Sequence, residues 1–159
     1  MNKVEGQVVI DAPVEKVWEV LADFSDVYRW APSVTKSYST SESSSGPEAS
    51  RHCEIAGFGG IEETITQWND GQSFTYSFSG GGPVAGGSTT WSVKGQGDNT
   101  LVHTTVEYDL RFGPIGSLMN ALIIRRKIRQ SMEMGQEGLK RHVETGELIG
   151  TDFRPVVSA

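Results

Sequence analysis

The side chains able to move a proton or attack a substrate are few, and their spacing excludes most hydrolytic and nucleotide machinery. Glu62 and Glu63 open a strand-like segment, so alternation sends one carboxylate to each face; Glu63 shares its parity with Ile61 and Ile65 and is the inward candidate. An inward carboxylate is placed to exchange a proton with a bound molecule, with the Tyr76 hydroxyl as its helper. A glutamate exposed at the rim of a strand accounts for the same pattern. Arg51 has the parity of Cys53 and Ile55, which makes it either a charge in a cavity or an exposed arginine on an edge strand. Cys53 has no histidine on its own face, because its neighbour His52 points the other way, so it reads as a small core or pocket side chain. His52, His103 and His142 fall on different elements, and neither a metal site nor a cofactor is expected. No G-x-S-x-G elbow, H-E-x-x-H helix or phosphate loop occurs, and the glycine clusters lie between strands rather than ahead of a helix.

Positioning these groups requires a sheet. Residues 4–11 read as a first strand, closed by Ala12-Pro13, with Asp11 as the expected cap of a helix. Val14, Val17, Trp18, Val20, Leu21 and Phe24 recur at three- and four-residue spacing, one buried helical stripe ending near Asp23. Residues 25–32 hold room for one further short turn of helix before Pro32. The serine-rich run 39–45 with Gly46-Pro47 reads as a hairpin connection. Strand-like cores follow at 49–56, 61–69, 73–80, 88–95 and 100–112, with glycine-bearing turns at 57–60, 70–71, 81–87 and 96–99, which implies an antiparallel meander. In the last of these Val102, Thr104, Val106, Tyr108 and Leu110 alternate with polar residues, so one face of the sheet is covered.

The cover follows Gly113-Pro114. Ile115, Leu118, Met119 and Leu122 share one helical face, whereas Ile124, Ile128, Met132, Leu139 and Val143 share another, so the stripe turns near 123–126. A short or kinked first segment closing one end of the sheet and a long helix across its concave face are expected. The fold class is therefore α+β, a seven-stranded curved antiparallel sheet around a long C-terminal helix, with two short helices between strands one and two. Residues 1–148 form the domain and residues 149–159 a loosely ordered tail.

Composition narrows the partners. A chain of 159 residues supports one core, and a net charge of −6 opposes electrostatic binding of nucleic acid. A single cysteine fits a reducing cytoplasm, and neither a signal peptide nor a transmembrane span is expected. Arg125, Arg126, Lys127 and Arg129 directly follow the apolar segment 115–124, an arrangement suited to an anionic membrane or a protein partner, with a solvated helix face as the plainer reading.

The order of elements, with VVIDAPVEKVWEVLADF near the start and GLKRHVETG near the end, resembles the START-like superfamily. Its polyketide cyclase/dehydrase and lipid-transport branch, which includes proteins similar to a subunit of carbon monoxide dehydrogenase, is the nearest likeness. The pattern Ile10, Ala12, Pro13, Glu15, Val17, Trp18, Leu21, Asp23, Phe24 carries it; these residues support packing rather than chemistry. The resemblance implies a helix-grip fold with a pocket between sheet and long helix, mouth loops at 57–60 and 81–87, and an acidic residue such as Glu63 facing the cavity. The expected ligand-contacting set is Trp30, Arg51, Cys53, Ile55, Phe58, Glu63, Tyr76, Phe78, Trp91, Tyr108, Leu118 and Leu122. Non-covalent binding, transport or sensing of a small hydrophobic molecule (a lipid, polyketide or aromatic metabolite) by a monomer or homodimer is the leading reading. A cofactor-independent cyclase or dehydratase using Glu63 and Tyr76, and a helper protein for an enzyme or a membrane-associated assembly, are the alternatives.

Overall fold

The computed structural model describes residues 1–154. Its seven strands are β1 Asn2–Ile10, β2 Val34–Ser39, β3 Ser50–Ile55, β4 Gly59–Asn69, β5 Ser73–Gly81, β6 Val84–Gln96 and β7 Asn99–Leu110. They form one antiparallel sheet in the order β1-β7-β6-β5-β4-β3-β2. The edges are thus β1 and β2, and β3, which carries Arg51, has a neighbour on each side.

Helix α1, Val14–Ala22, buries Val17 and Leu21 as its spacing predicts. Asp11 does not cap it. Pro13, two residues beyond Asp11 and in an extended conformation, holds the N-cap position, and the backbone N–H of Asp11 instead donates to Glu144 Oε1 at 2.9 Å. A 3₁₀ turn over Phe24–Arg29 follows and buries Phe24 and Val27. Two short helical elements therefore separate β1 from β2.

The C-terminal cover has three parts: α2 Gly113–Met119, a π-helical turn Asn120–Ile124 and α3 Arg125–Thr145. A π turn inserts an extra residue into the helical repeat, and it falls where the apolar stripe of the sequence changes face. From the last residue of the turn onward Ile124, Met132, Leu139 and Val143 are buried; in α2 and earlier in the turn Ile115, Leu118 and Leu122 are exposed. Helix α3 ends on Gly146 in the left-handed conformation (φ 76°), whose N–H donates to the His142 carbonyl at 2.8 Å. Ile149 is buried, and its N–H donates to the Arg29 carbonyl at 3.0 Å. Pro155, which the sequence places in a loosely ordered tail, lies with residues 156–159 outside the described residues.

Two glycines on α3 separate packing from propensity. A Cβ on Gly138 would stand 2.2 Å from the Trp30 carbonyl oxygen and 2.8 Å from Pro32 Cδ, so the glycine lets α3 approach the segment after the 3₁₀ turn. A Cβ on Gly135 would meet only the Trp91 ring at 3.9 Å, an ordinary contact. Gly138→Ala should destabilise the protein by about 1–3 kcal/mol through overpacking. Gly135→Ala should leave stability unchanged or raise it by up to about 1 kcal/mol through helix propensity. Urea midpoints of the two variants that move in the same direction would contradict this placement of α3.

Candidate ligand-binding site

The concave face between β3, β4, β5 and β6 on one side and α3 on the other encloses a cavity of about 260 Å³. It widens at the end of the sheet into a vestibule of about 920 Å³, and Ser33, Ile55, Phe58, Val84, Ile128 and Ser131 border both. Most of the wall is apolar. Trp30 and Trp91 meet edge to face with ring centroids 5.3 Å apart, and Phe78, Ile55 and Met132 complete the surface around them. Such sites, mostly apolar with a few fixed polar groups, are the usual form of small-molecule pockets.

One charged pair interrupts the apolar wall. Arg51 and Glu63 are direct partners in the β3–β4 register, and Arg51 Nε donates to Glu63 Oε2 at 2.5 Å. Both side chains are buried, at 5% and 10% exposure. The guanidinium also donates from Nη1 to the Phe24 carbonyl at 2.7 Å and lies 3.8 Å from the Phe24 ring centre and 4.9 Å from that of Tyr76. Burial, the largest single influence, favours loss of the Arg51 proton, but the Glu63 carboxylate, Tyr76 and Cys53 together outweigh it and hold the pKa above its ordinary value. Arg51 is therefore an internal cation and not an exposed edge residue. Glu63 is its counter-ion, whereas Glu62 faces the other way and bonds His52 on the outer face of the sheet.

Two further groups converge on the pair. Cys53 Sγ lies 3.6 Å from Glu63 Oε2, and burial, aided by the carboxylate, pushes its pKa up to about 12. Burial and then Glu63 also raise the Tyr76 hydroxyl above its ordinary value. Neither group is a ready nucleophile or base near neutrality. Among the described residues, Arg51 Nη2 and Glu63 Oε1 have no protein hydrogen-bond partner, although every fully enclosed side-chain nitrogen and oxygen has one. These two atoms are thus charged-group contacts open to a molecule in the cavity, alongside the hydroxyls of Tyr76, Thr89 and Ser131 on the same wall.

The structure brings together Trp30, Arg51, Cys53, Ile55, Phe58, Glu63, Tyr76, Phe78 and Trp91 on the cavity wall. Tyr108, Leu118 and Leu122 are not on it. Tyr108 is on the predicted inward face, but the π turn closes over it: the ring is fully buried with Val4, Ile124 and Met132, and its hydroxyl donates to Asn120 Oδ1 at 2.6 Å. Leu118 and Leu122 precede the change of stripe and point outward, 62% and 68% exposed. The mouth turns are also tighter than the glycine content implies, since Gly81 pairs with Val84 and the ladder of β5 and β6 runs through 84–87. Val27, Thr89, Thr104, Ser131 and Gly135 also line the cavity, beyond the set expected from the sequence. Thr104 was legible from its parity in β7; Ser131 and Gly135 carry no periodic signal.

A curved antiparallel sheet gripping a long C-terminal helix over an internal cavity defines the helix-grip class of START-like proteins. The chain belongs to the polyketide cyclase/dehydrase and lipid transport family, whose pattern it matches over residues 1–144. No protein of curated function matches it. Similar solved structures include a Thermus thermophilus protein (19% identity, TM-score 0.75, 91% of this chain and 99% of that one). A START superfamily protein from Mycobacterium smegmatis is 14% identical with TM-score 0.73, covering 89% of this chain and 97% of that one. An aromatase/cyclase, Zhui, from a Streptomyces species is 18% identical with TM-score 0.68, covering 90% of this chain and 93% of that one. At these identities the likeness is one of fold.

The raised Cys53 pKa has a consequence for stability. An acid whose folded pKa exceeds its unfolded value contributes stability below the unfolded pKa, near 9, and loses it as pH rises toward about 12. Cys53→Ala should therefore flatten the alkaline decline, with the gap between variant and wild-type stability changing in the variant's favour between pH 9 and pH 11. Parallel curves over that window, measured by urea unfolding, would show that the thiol ionises as readily in the folded chain.

Proposed function

We propose that the protein binds a small hydrophobic molecule in this cavity without forming a covalent bond, and carries or senses it. The observation that supports this most directly is a mostly apolar cavity whose charged groups, Arg51 and Glu63, are a mutually neutralised pair. An unpaired charge would demand a counter-ion from the ligand, whereas the Arg51–Glu63 pair presents one donor and one acceptor with no net charge. The matching ligand is uncharged and mostly apolar, with a polar end such as a hydroxyl, ketone or phenol beside Nη2 and Oε1. The cavity of about 260 Å³, continued by the vestibule of about 920 Å³, is room enough for such a ligand, since small-molecule pockets start at roughly 300 Å³.

Family membership and the fold shared with an aromatase/cyclase support a second reading, in which the cavity folds a reactive chain and Glu63 with Tyr76 moves a proton. Against it stand the tightly held Tyr76 proton and the engagement of Glu63 Oε2 by Arg51.

Native mass spectrometry of protein purified gently from its own host should show a bound organic mass that is lost on denaturation; protein that arrives empty or only with a polypeptide partner would sink the binding reading. Tyr76→Phe separates the two roles on the recovered compound. A binder should lose at most about tenfold in affinity, the worth of one hydrogen bond. A cyclase should lose about 10²- to 10⁴-fold in turnover at similar affinity. For the pair itself, Glu63→Gln should destabilise the fold by about 3–5 kcal/mol because it strands a buried guanidinium, whereas Arg51→Met with Glu63→Leu should stay close to wild-type stability. Glu62→Gln, on the exposed face, should cost no more than about 1 kcal/mol. Equal thermal shifts for Glu63→Gln and Glu62→Gln would remove the buried pair from the account.

A further inference from the structure

The surface around α2 and the π turn has no role in the cavity just described, and it is unlike the rest of the molecule. Phe112, Ile115, Leu118, Met119, Leu122 and Ile123 are all exposed, half of the exposed large apolar side chains among the described residues, and they fall within twelve consecutive positions. Solvent-exposed apolar side chains scattered singly need no explanation, but a contiguous group marks a contact surface. Phe112 also sits in the left-handed conformation (φ 69°), unusual for a bulky residue, and is 63% exposed, so no core packing accounts for it.

Charge identifies what this surface fits. From Arg111 to Met132 the chain carries Arg111, Arg125, Arg126, Lys127 and Arg129 and no carboxylate, although its overall net charge is −6. Arg125, Arg126, Lys127 and Arg129 are exposed and form no salt bridge among the described residues. A protein interface typically has a core depleted of charge; an unbalanced run of cations following an apolar turn instead matches the layered chemistry of an anionic bilayer. Arg125 follows Ile115 by ten residues, roughly 15 Å along a helix. A tilted helix would thus place the apolar turns among acyl chains and the cations at the phosphates.

We propose that residues 112–129 dock the protein on an anionic phospholipid bilayer, with Phe112, Ile115, Leu118 and Leu122 inserting and Arg125, Arg126, Lys127 and Arg129 meeting the headgroups. The vestibule lies alongside: Met119, Ile123 and Lys127 form part of its rim, opposite Phe58. Docking brings the opening of the cavity to the lipid surface.

The test is flotation of the full chain with phosphatidylcholine vesicles, with and without phosphatidylglycerol, as sodium chloride is raised. Retention should require phosphatidylglycerol, and salt should release the protein. Leu118→Ser with Leu122→Ser should weaken binding at least about tenfold through lost insertion, and Arg125→Gln with Arg126→Gln should weaken it by about as much and reduce the preference for phosphatidylglycerol. None of these four side chains borders the cavity or the vestibule, so melting temperatures and ligand binding should be unchanged. No retention at low salt, or equal retention on both vesicles, would overturn the proposal. So would retention that both double variants leave intact. A concentration-dependent dimer in light scattering that Leu118→Ser with Leu122→Ser abolishes would assign the surface to a second copy instead.

Discussion

A seven-stranded concave sheet is wider than one helix can fill, and the rest of the molecule follows from that mismatch. Six strand spacings of about 4.8 Å make roughly 29 Å of sheet, against about 10–12 Å for a helix with its side chains. Helix α3 packs chiefly on β1 and β7, while α1 meets β6 and β7 and the 3₁₀ turn meets β2 and β3. What is left over the middle strands is the cavity. Gly138 matters here because it sets how closely α3 approaches the Trp30–Pro32 segment, and so how much of the gap remains.

Placing a charged pair in that gap carries an energetic cost that its surroundings offset. The cross-strand register puts Arg51 and Glu63 opposite each other, the Phe24 carbonyl takes a second guanidinium proton, and the Phe24 and Tyr76 rings lie on the cation. Replacing one partner leaves a stranded charge, so the two residues behave as a unit. The same pair sets the chemistry nearby, since the carboxylate adds to burial in holding the protons of Cys53 and Tyr76 in place. A cavity built this way favours holding an uncharged molecule over attacking it.

The π turn divides the C-terminal cover into two surfaces, one buried and one exposed. After it, the apolar stripe of α3 faces the sheet; before it, the apolar stripe of α2 faces away and lies next to exposed cations. The sequence already sets the two stripes on different helical faces, and the extra residue of the π turn adds to their separation. The opening of the cavity lies where the two surfaces meet.

Several features are determined by local chemistry and so were legible in the sequence. Alternation in β7, the three- and four-residue spacing of α1 and the change of stripe near 123–126 each reflect which side chains must leave water, and that information is carried by neighbours in the chain. Parity put Arg51 with Cys53 and Ile55 opposite His52, and Glu63 with Ile61 and Ile65 opposite Glu62, but left both charges either in a cavity or at an exposed edge or rim. Tertiary structure alone decided what those faces meet. Parity did not distinguish Tyr108 from Thr104, because the difference is whether the π turn or empty space lies above them. Nor did it give the partner of Glu63, since Arg51 is twelve residues away and becomes its neighbour only through the β3–β4 register, or the protection of β3 by β2 as the outer strand. Leu118 and Leu122 were misplaced for the same reason: a helical stripe records that a face is apolar and where it turns, whereas which of the two stripes meets the sheet is settled by tertiary packing.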